Sequence, residues 1–169
     1  MVAMTSIPTT AFNGLATDER IEATMRALEA NGMTSTVVET GDEARRLVLD
    51  LLPPGAEVFT SASCTLETIG LAAEINESGR YQAVRPRRNT MDRQTQAREM
   101  RKLGASPDVV VGSVQAITEQ GQIVMASATG SQLASYVSGA GQVIWVVGTQ
   151  KLVRDLDEAM RRITEYSLP

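Results

Sequence analysis

Val58-Phe-Thr-Ser-Ala-Ser-Cys-Thr-Leu-Glu-Thr-Ile-Gly70 carries a short apolar strand into a turn of small hydroxyl residues, and the turn into a helix. The strand is expected over Glu57–Thr60 and the helix over Thr65–Asn76, with Thr65 as its cap and Ser78-Gly79 as its stop. Upstream, Thr17–Asn31 sets Ile21, Met25 and Leu28 on one helical face, and Gly32 stands where a C-terminal cap belongs. Thr34–Glu39 suits a strand through its β-branched residues. Asp42–Leu52 reads as a helix with Ala44, Leu47, Val48 and Leu51 on one face, stopped by Pro53-Pro54.

Downstream, Tyr81–Val84 is an expected strand, and Met91–Leu103 a charged surface helix closed by Gly104. Val109-Val-Val111 and Val143-Ile-Trp-Val-Val147 are apolar runs of the kind covered on both faces. Ile117–Ser127 reads as one or two strands interrupted near Gly121, Gly130–Val137 as a short helix, and Leu152–Tyr166 as a final helix. Strands separated by helices need crossover connections. The expected class is therefore α/β, a mainly parallel Rossmann-like sheet with flanking helices. Residues 1–15 read as a flexible polar arm and 16–169 as a single domain.

Composition narrows the chemistry. The chain has 169 residues, 43% hydrophobic and 21% charged, with six aromatics, so its core rests on aliphatic side chains. Sixteen basic and 20 acidic residues give a net charge of −4, which argues against a nucleic-acid or anionic-membrane partner. Histidine is absent, so histidine-dependent triads, bases and zinc sites cannot be built within the chain. One cysteine, Cys64, cannot by itself provide a disulfide, a four-cysteine metal site or an iron–sulfur cluster. No metal site is expected. The first ten residues lack the basic and apolar regions of a signal peptide, and no apolar run is long enough to span a membrane, so a cytoplasmic setting is expected.

Four features are candidates for function. The turn at 60–65 would lie at the carboxyl end of a parallel strand, where ligands of open α/β sheets collect. Its helix N-terminus and the hydroxyls of Ser61, Ser63 and Thr65 could hold an anion, or the turn is an ordinary capped one. Cys64 in the same turn, with no histidine as base, reads as a small packing residue. Glu119 interrupts an apolar run, where lost solvation raises a carboxyl pKa and suits acid–base or nucleophilic work. The alternative is that it caps a helix or pairs with one of the fourteen arginines. Gly121 would admit close approach of a substrate or of another backbone. Finally, Arg80–Lys102 holds eight basic and two acidic residues, and Arg85, Arg87 and Arg88 either face water or present guanidinium forks to a carboxylate or phosphate. Asp155 and Asp157 favour the start of the last helix and are structural. No Walker-type loop or Gly-x-Gly-x-x-Gly is present.

Three segments stand in order along the chain: Ser63-Cys-Thr-Leu-Glu-Thr-Ile-Gly70, Ala116-Ile-Thr-Glu-Gln-Gly121 and Val146-Val-Gly-Thr-Gln-Lys-Leu-Val-Arg-Asp-Leu156. Through them residues 58–168 resemble the LUD domain, the lactate-utilisation protein family. Gln120 departs from the family's usual Thr. The resemblance implies a fold similar to the sugar-phosphate isomerase and CoA-transferase-like superfamily, in which a hydroxyl-rich turn after a strand often holds phosphate. By that analogy Ser61, Ser63 and Thr65 are ligand-binding candidates beside Gly121, and Glu119 in the Glu119-Gln-Gly121 segment is a candidate counterpart of the CoA-transferase glutamate. It further implies a role in oxidation of L-lactate to pyruvate with iron–sulfur partner subunits. Redox cofactors would then come from those partners, and this chain would bind a small anionic or acyl metabolite. The alternatives are a CoA-transferase-like or isomerase-like enzyme using Glu119, or a structural docking subunit of an electron-transfer complex.

Overall fold

The computed structural model describes residues 12–167, so most of the expected N-terminal arm lies outside the described residues. Helix α1 spans Asp18–Ala30, with the Thr17 hydroxyl accepting from the Arg20 N–H, and the chain leaves it through Gly32 at φ 80°. The strand expected at 34–39 does not form. β-branching favours a pleated, half-buried surface, and the described residues provide no partner strand there; Val37 is exposed. Helix α2, Gly41–Leu51, opens on a capping box in which Thr40 and Glu43 satisfy each other's backbone N–H. Val48 and Leu52 are buried while Leu51 faces solvent, so the apolar face lies one residue away from the one expected.

Strand β1 is Glu57–Thr60, as expected. The helix after it is broken in two: α3, Cys64–Thr68, is capped by Ser63 rather than Thr65, and α4 spans Leu71–Glu77. Gly70 sits between them at φ 71°, a left-handed conformation that interrupts the helical ladder. Strand β2 is only Gln82–Ala83, and Val84–Asn89 turns at once into helix α5. Arg85, Arg87 and Arg88 are thus helical, with Pro86 in the first turn, where its missing N–H costs no ladder bond. Helix α6, Ala97–Ala105, starts later than expected and contains Gly104 rather than ending before it.

Strands β3 (Val109–Gly112), β4 (Ala116–Thr118) and β5 (Ile123–Val124) follow. After a π-helical turn at Ser135–Gly139 comes β6, Gln142–Trp145, half-buried rather than covered on both faces. Leu152–Val153 forms strand β7, and helix α7 spans Leu156–Arg162 and passes into a π-helical end at Ile163–Ser167. The last helix begins four residues later than expected because Asp155 caps it, accepting from the Glu158 N–H at 2.9 Å.

These elements pack as two compact units, each assembled from separate stretches of chain. One comprises residues 38–113 and 127–146. It holds a parallel sheet in the order β2-β1-β3-β6, with Val58, Phe59 and Thr60 opposite Val109, Val110 and Val111. Val58, Val109 and Val111 join Val48, Leu52, Leu66, Leu71 and Ile75 in its core, so α2, α3 and α4 cover one face. Strand alternation sends Phe59 and Val110 to the opposite face. Both are buried too, as a strand clothed on both sides requires.

The other unit comprises residues up to 37, 114–126 and 147 onward. Its sheet has the order β5-β4-β7, with β4 antiparallel to β5 and parallel to β7. Ala116, Val153 and Ala159 form a small core with Val124 against them. Arg162 is buried at its edge, donating to the Gln115 carbonyl at 2.5 Å with its guanidinium over the Tyr166 ring. The architecture is α/β with a parallel, helix-flanked sheet of Rossmann-like type.

Candidate functional site

The carboxyl end of β1 is built from the middle of its sheet outward. The Ser61 N–H continues the parallel ladder by donating to the Val111 carbonyl at 3.0 Å, which holds Ser61 rigidly at the strand end. Its side chain is buried, and its Oγ accepts a hydrogen bond from the Tyr136 hydroxyl at 2.8 Å. A Cβ at Gly112 would collide with both hydroxyls, so the neighbouring strand must end in glycine for the pair to form. Tyr136 stands edge-on to Trp145, with ring centroids 5.7 Å apart. Burial pushes the Tyr136 phenol above its ordinary range, opposed by its bonds to Ser61 and Ser113, so it remains a neutral donor near pH 7. Having accepted the Tyr136 proton, Ser61 still has its own to give.

Ser61 borders a cavity of about 290 Å³, together with Phe59, Arg85, Arg88, Arg93 and Gln132. Helix α5 delivers the first two arginines. Arg85 Nη1 donates to the Thr60 carbonyl at 3.4 Å, and the Arg88 guanidinium lies 5.1 Å from the centre of the Phe59 ring. Gly104 on α6 leaves the room that Arg88 fills. Burial first, and then the charges of Arg85 and Arg93, push the Arg88 pKa down. Arg88 Nε is buried without a hydrogen-bond partner. Arg85, Arg88 and Arg93 form no ion pair with any described carboxylate, and no acidic side chain lines the cavity. A wider and shallower concavity of about 520 Å³ lies over Gly41, Arg45 and Gly70, but there Arg45 already pairs with Asp42 at 3.1 Å.

Of the hydroxyl candidates Ser61 alone lines this cavity, and Arg85 and Arg88 of the basic cluster line it with Ser61. Ser63 is occupied as the α3 cap, its Oγ accepting from the Leu66 N–H at 3.5 Å. Thr65 lies within α3 and Cys64 is exposed beside it. Arg87, grouped in sequence with Arg85 and Arg88, pairs instead with Glu57 at 3.0 Å.

Glu119 and Gly121 belong to the other unit. Glu119 Oε1 accepts from Arg20 Nε at 2.7 Å, the arginine pairing left open by the sequence. Gly121, at φ 76°, meets the backbone of Ala27 and has its carbonyl bonded by Asn31, so the close approach it permits is made by the end of α1. Sequence reasoning missed Arg93 and Tyr136 as members of the β1-end site. Arg93 lies in the basic stretch and was visible in principle; Tyr136, 75 residues from Ser61, left no local signal.

Among the described residues no group of three or more Asp, Glu or Cys side chains is placed to hold a metal ion. Nor is any described helix long and apolar enough to cross a membrane. No curated protein and no solved structure matches the chain significantly. The model of the LUD domain, a family associated with lactate-utilisation proteins, matches residues 21–169, almost the whole length, and the chain belongs to that family.

Proposed function

We propose that this LUD-domain chain serves organic-acid metabolism of the lactate-utilisation kind in the cytoplasm, holding a small anionic or acyl metabolite in the cavity beside Ser61. The observation that supports this reading is the set of Arg85, Arg88 and Arg93 around that cavity, with no carboxylate to neutralise them. Unpaired guanidiniums at a sheet's carboxyl edge attract an anion, and their forks bond its oxygens. An iron–sulfur cluster needs several thiolates, and the chain has one cysteine, so electron transfer belongs to partner subunits.

Isothermal titration with lactate, pyruvate, a CoA thioester and a phosphorylated small acid tests the reading. At least one should bind saturably to the wild-type chain and lose most of its affinity in Arg88→Gln. Silence toward all four from a correctly folded chain, or binding that Arg88→Gln leaves intact, overturns it.

A further inference from the structure

The charge count of this cavity restricts what fills it. Arg85, Arg88 and Arg93 each bring a full positive charge, and the remaining lining, including Ser61, Asn89 and Gln132, is neutral. The nearest acidic residue in sequence, Asp92, is engaged elsewhere, accepting from the Gln94 N–H and the Thr95 hydroxyl, both at 2.8 Å. A single carboxylate brings one negative charge, which one bidentate arginine fork already balances. A monocarboxylate in the cavity would therefore leave two of the three positive charges without a counter-charge. Arg88 Nε is also a buried donor without a hydrogen-bond partner, a state that native structures rarely tolerate.

Resting on the anion-binding reading above, we infer that the cavity selects a ligand carrying at least two negative charges, and discriminates against monocarboxylates such as lactate. The shared chemistry is a compact dianion, with oxygens enough for two or more forks and for the Ser61 hydroxyl. It is available as a phosphate monoester or as a dicarboxylate.

Titration calorimetry with L-lactate, ethyl phosphate and L-malate compares a compact monoanion with two compact dianions, one a phosphate monoester and one a dicarboxylate. At least one dianion should bind about tenfold or more tighter than lactate, since each added charge-assisted bond is worth at least that factor. Whichever dianion is tighter identifies the source of the second charge. Arg93 is exposed, so Arg93→Ala and Arg93→Glu leave folding intact while testing the charge count. The first should cut dianion affinity several-fold more than lactate affinity, and the second should abolish the preference. Lactate binding as tightly as both dianions overturns the inference while the anion-site reading stands. Dianion preference that survives Arg93→Glu also overturns it. Silence toward all three ligands overturns the anion-site reading along with it.

Discussion

Tyr136→Phe removes one oxygen from a buried pair of hydroxyls and leaves the ring in place against Trp145. The bond it breaks is 2.8 Å long, and its acceptor, Ser61 Oγ, is on a residue 4% exposed. A neutral hydrogen bond contributes about 1 kcal/mol net, and an acceptor left dry adds about 1 kcal/mol more, so a loss of about 1–2 kcal/mol is expected. Ser61 borders the cavity, so water entering from that side replaces part of the lost bond, which sets the lower end of that range. The assay is urea unfolding followed by the fluorescence of Trp145, the only tryptophan in the chain and a member of the same unit. The midpoint should fall with the slope unchanged. Ser61→Ala and the double variant complete a cycle whose coupling energy should be about 1 kcal/mol. If Tyr136→Phe costs nothing, or costs the same in the Ser61→Ala background, the pair does not hold the strand end and the reasoning fails.

Gly112→Ala places a methyl on both hydroxyls of that pair and should cost about 2–3 kcal/mol through overpacking, with altered near-ultraviolet dichroism of Tyr136 and Trp145; a change under about 0.5 kcal/mol would contradict the placement. The raised Tyr136 pKa has a fixed sign. Below the ordinary tyrosine range near pH 10 the phenol is neutral folded and unfolded; above it the unfolded chain ionises first, so stability falls as pH rises toward the folded pKa. Alkaline unfolding curves should show that component in the wild type and lack it in Tyr136→Phe. Glu119→Gln weakens a partly exposed ion pair with Arg20 and should cost about 0.5 kcal/mol in thermal melts at low salt, less at high salt.

The sequence was most legible where local rules and tertiary demands agree. Val109-Val-Val111 is an apolar run without alternation, and it became the central strand; Gly121 sits at the tight turn between β4 and β5, where a positive φ is needed. The readings that failed did so where one local rule was applied without its partner. Thr34–Glu39 had the residues of a strand but no edge to pair with. Thr65–Asn76 kept a helical pattern across Gly70, and pattern alone does not reveal that a glycine takes the left-handed conformation. The late start of the final helix was legible and overlooked: Asp155-Leu-Asp-Glu158 has the spacing of an N-terminal cap, and Glu158 reaches back to the Arg154 N–H at 2.7 Å. Tyr136 is a different case, since a contact across 75 residues has no counterpart in local pattern.

The same distinction governs where the positive field at the end of β1 comes from. The hydroxyl-rich turn suggests a helix N-terminus as the source, but α3 has only five residues and Ser63 already takes one of its amides. The macrodipole is a sum over aligned peptide units, and one turn supplies few of them. Three guanidiniums carry whole charges, two of them delivered by α5 because Pro86 is admitted in its first turn and the chain coils directly after β2. A field made by backbone ends could not be removed without unmaking the fold. A field made by side chains can be, so substitutions at the exposed Arg93 should change what the cavity binds while leaving the unfolding midpoint almost unmoved.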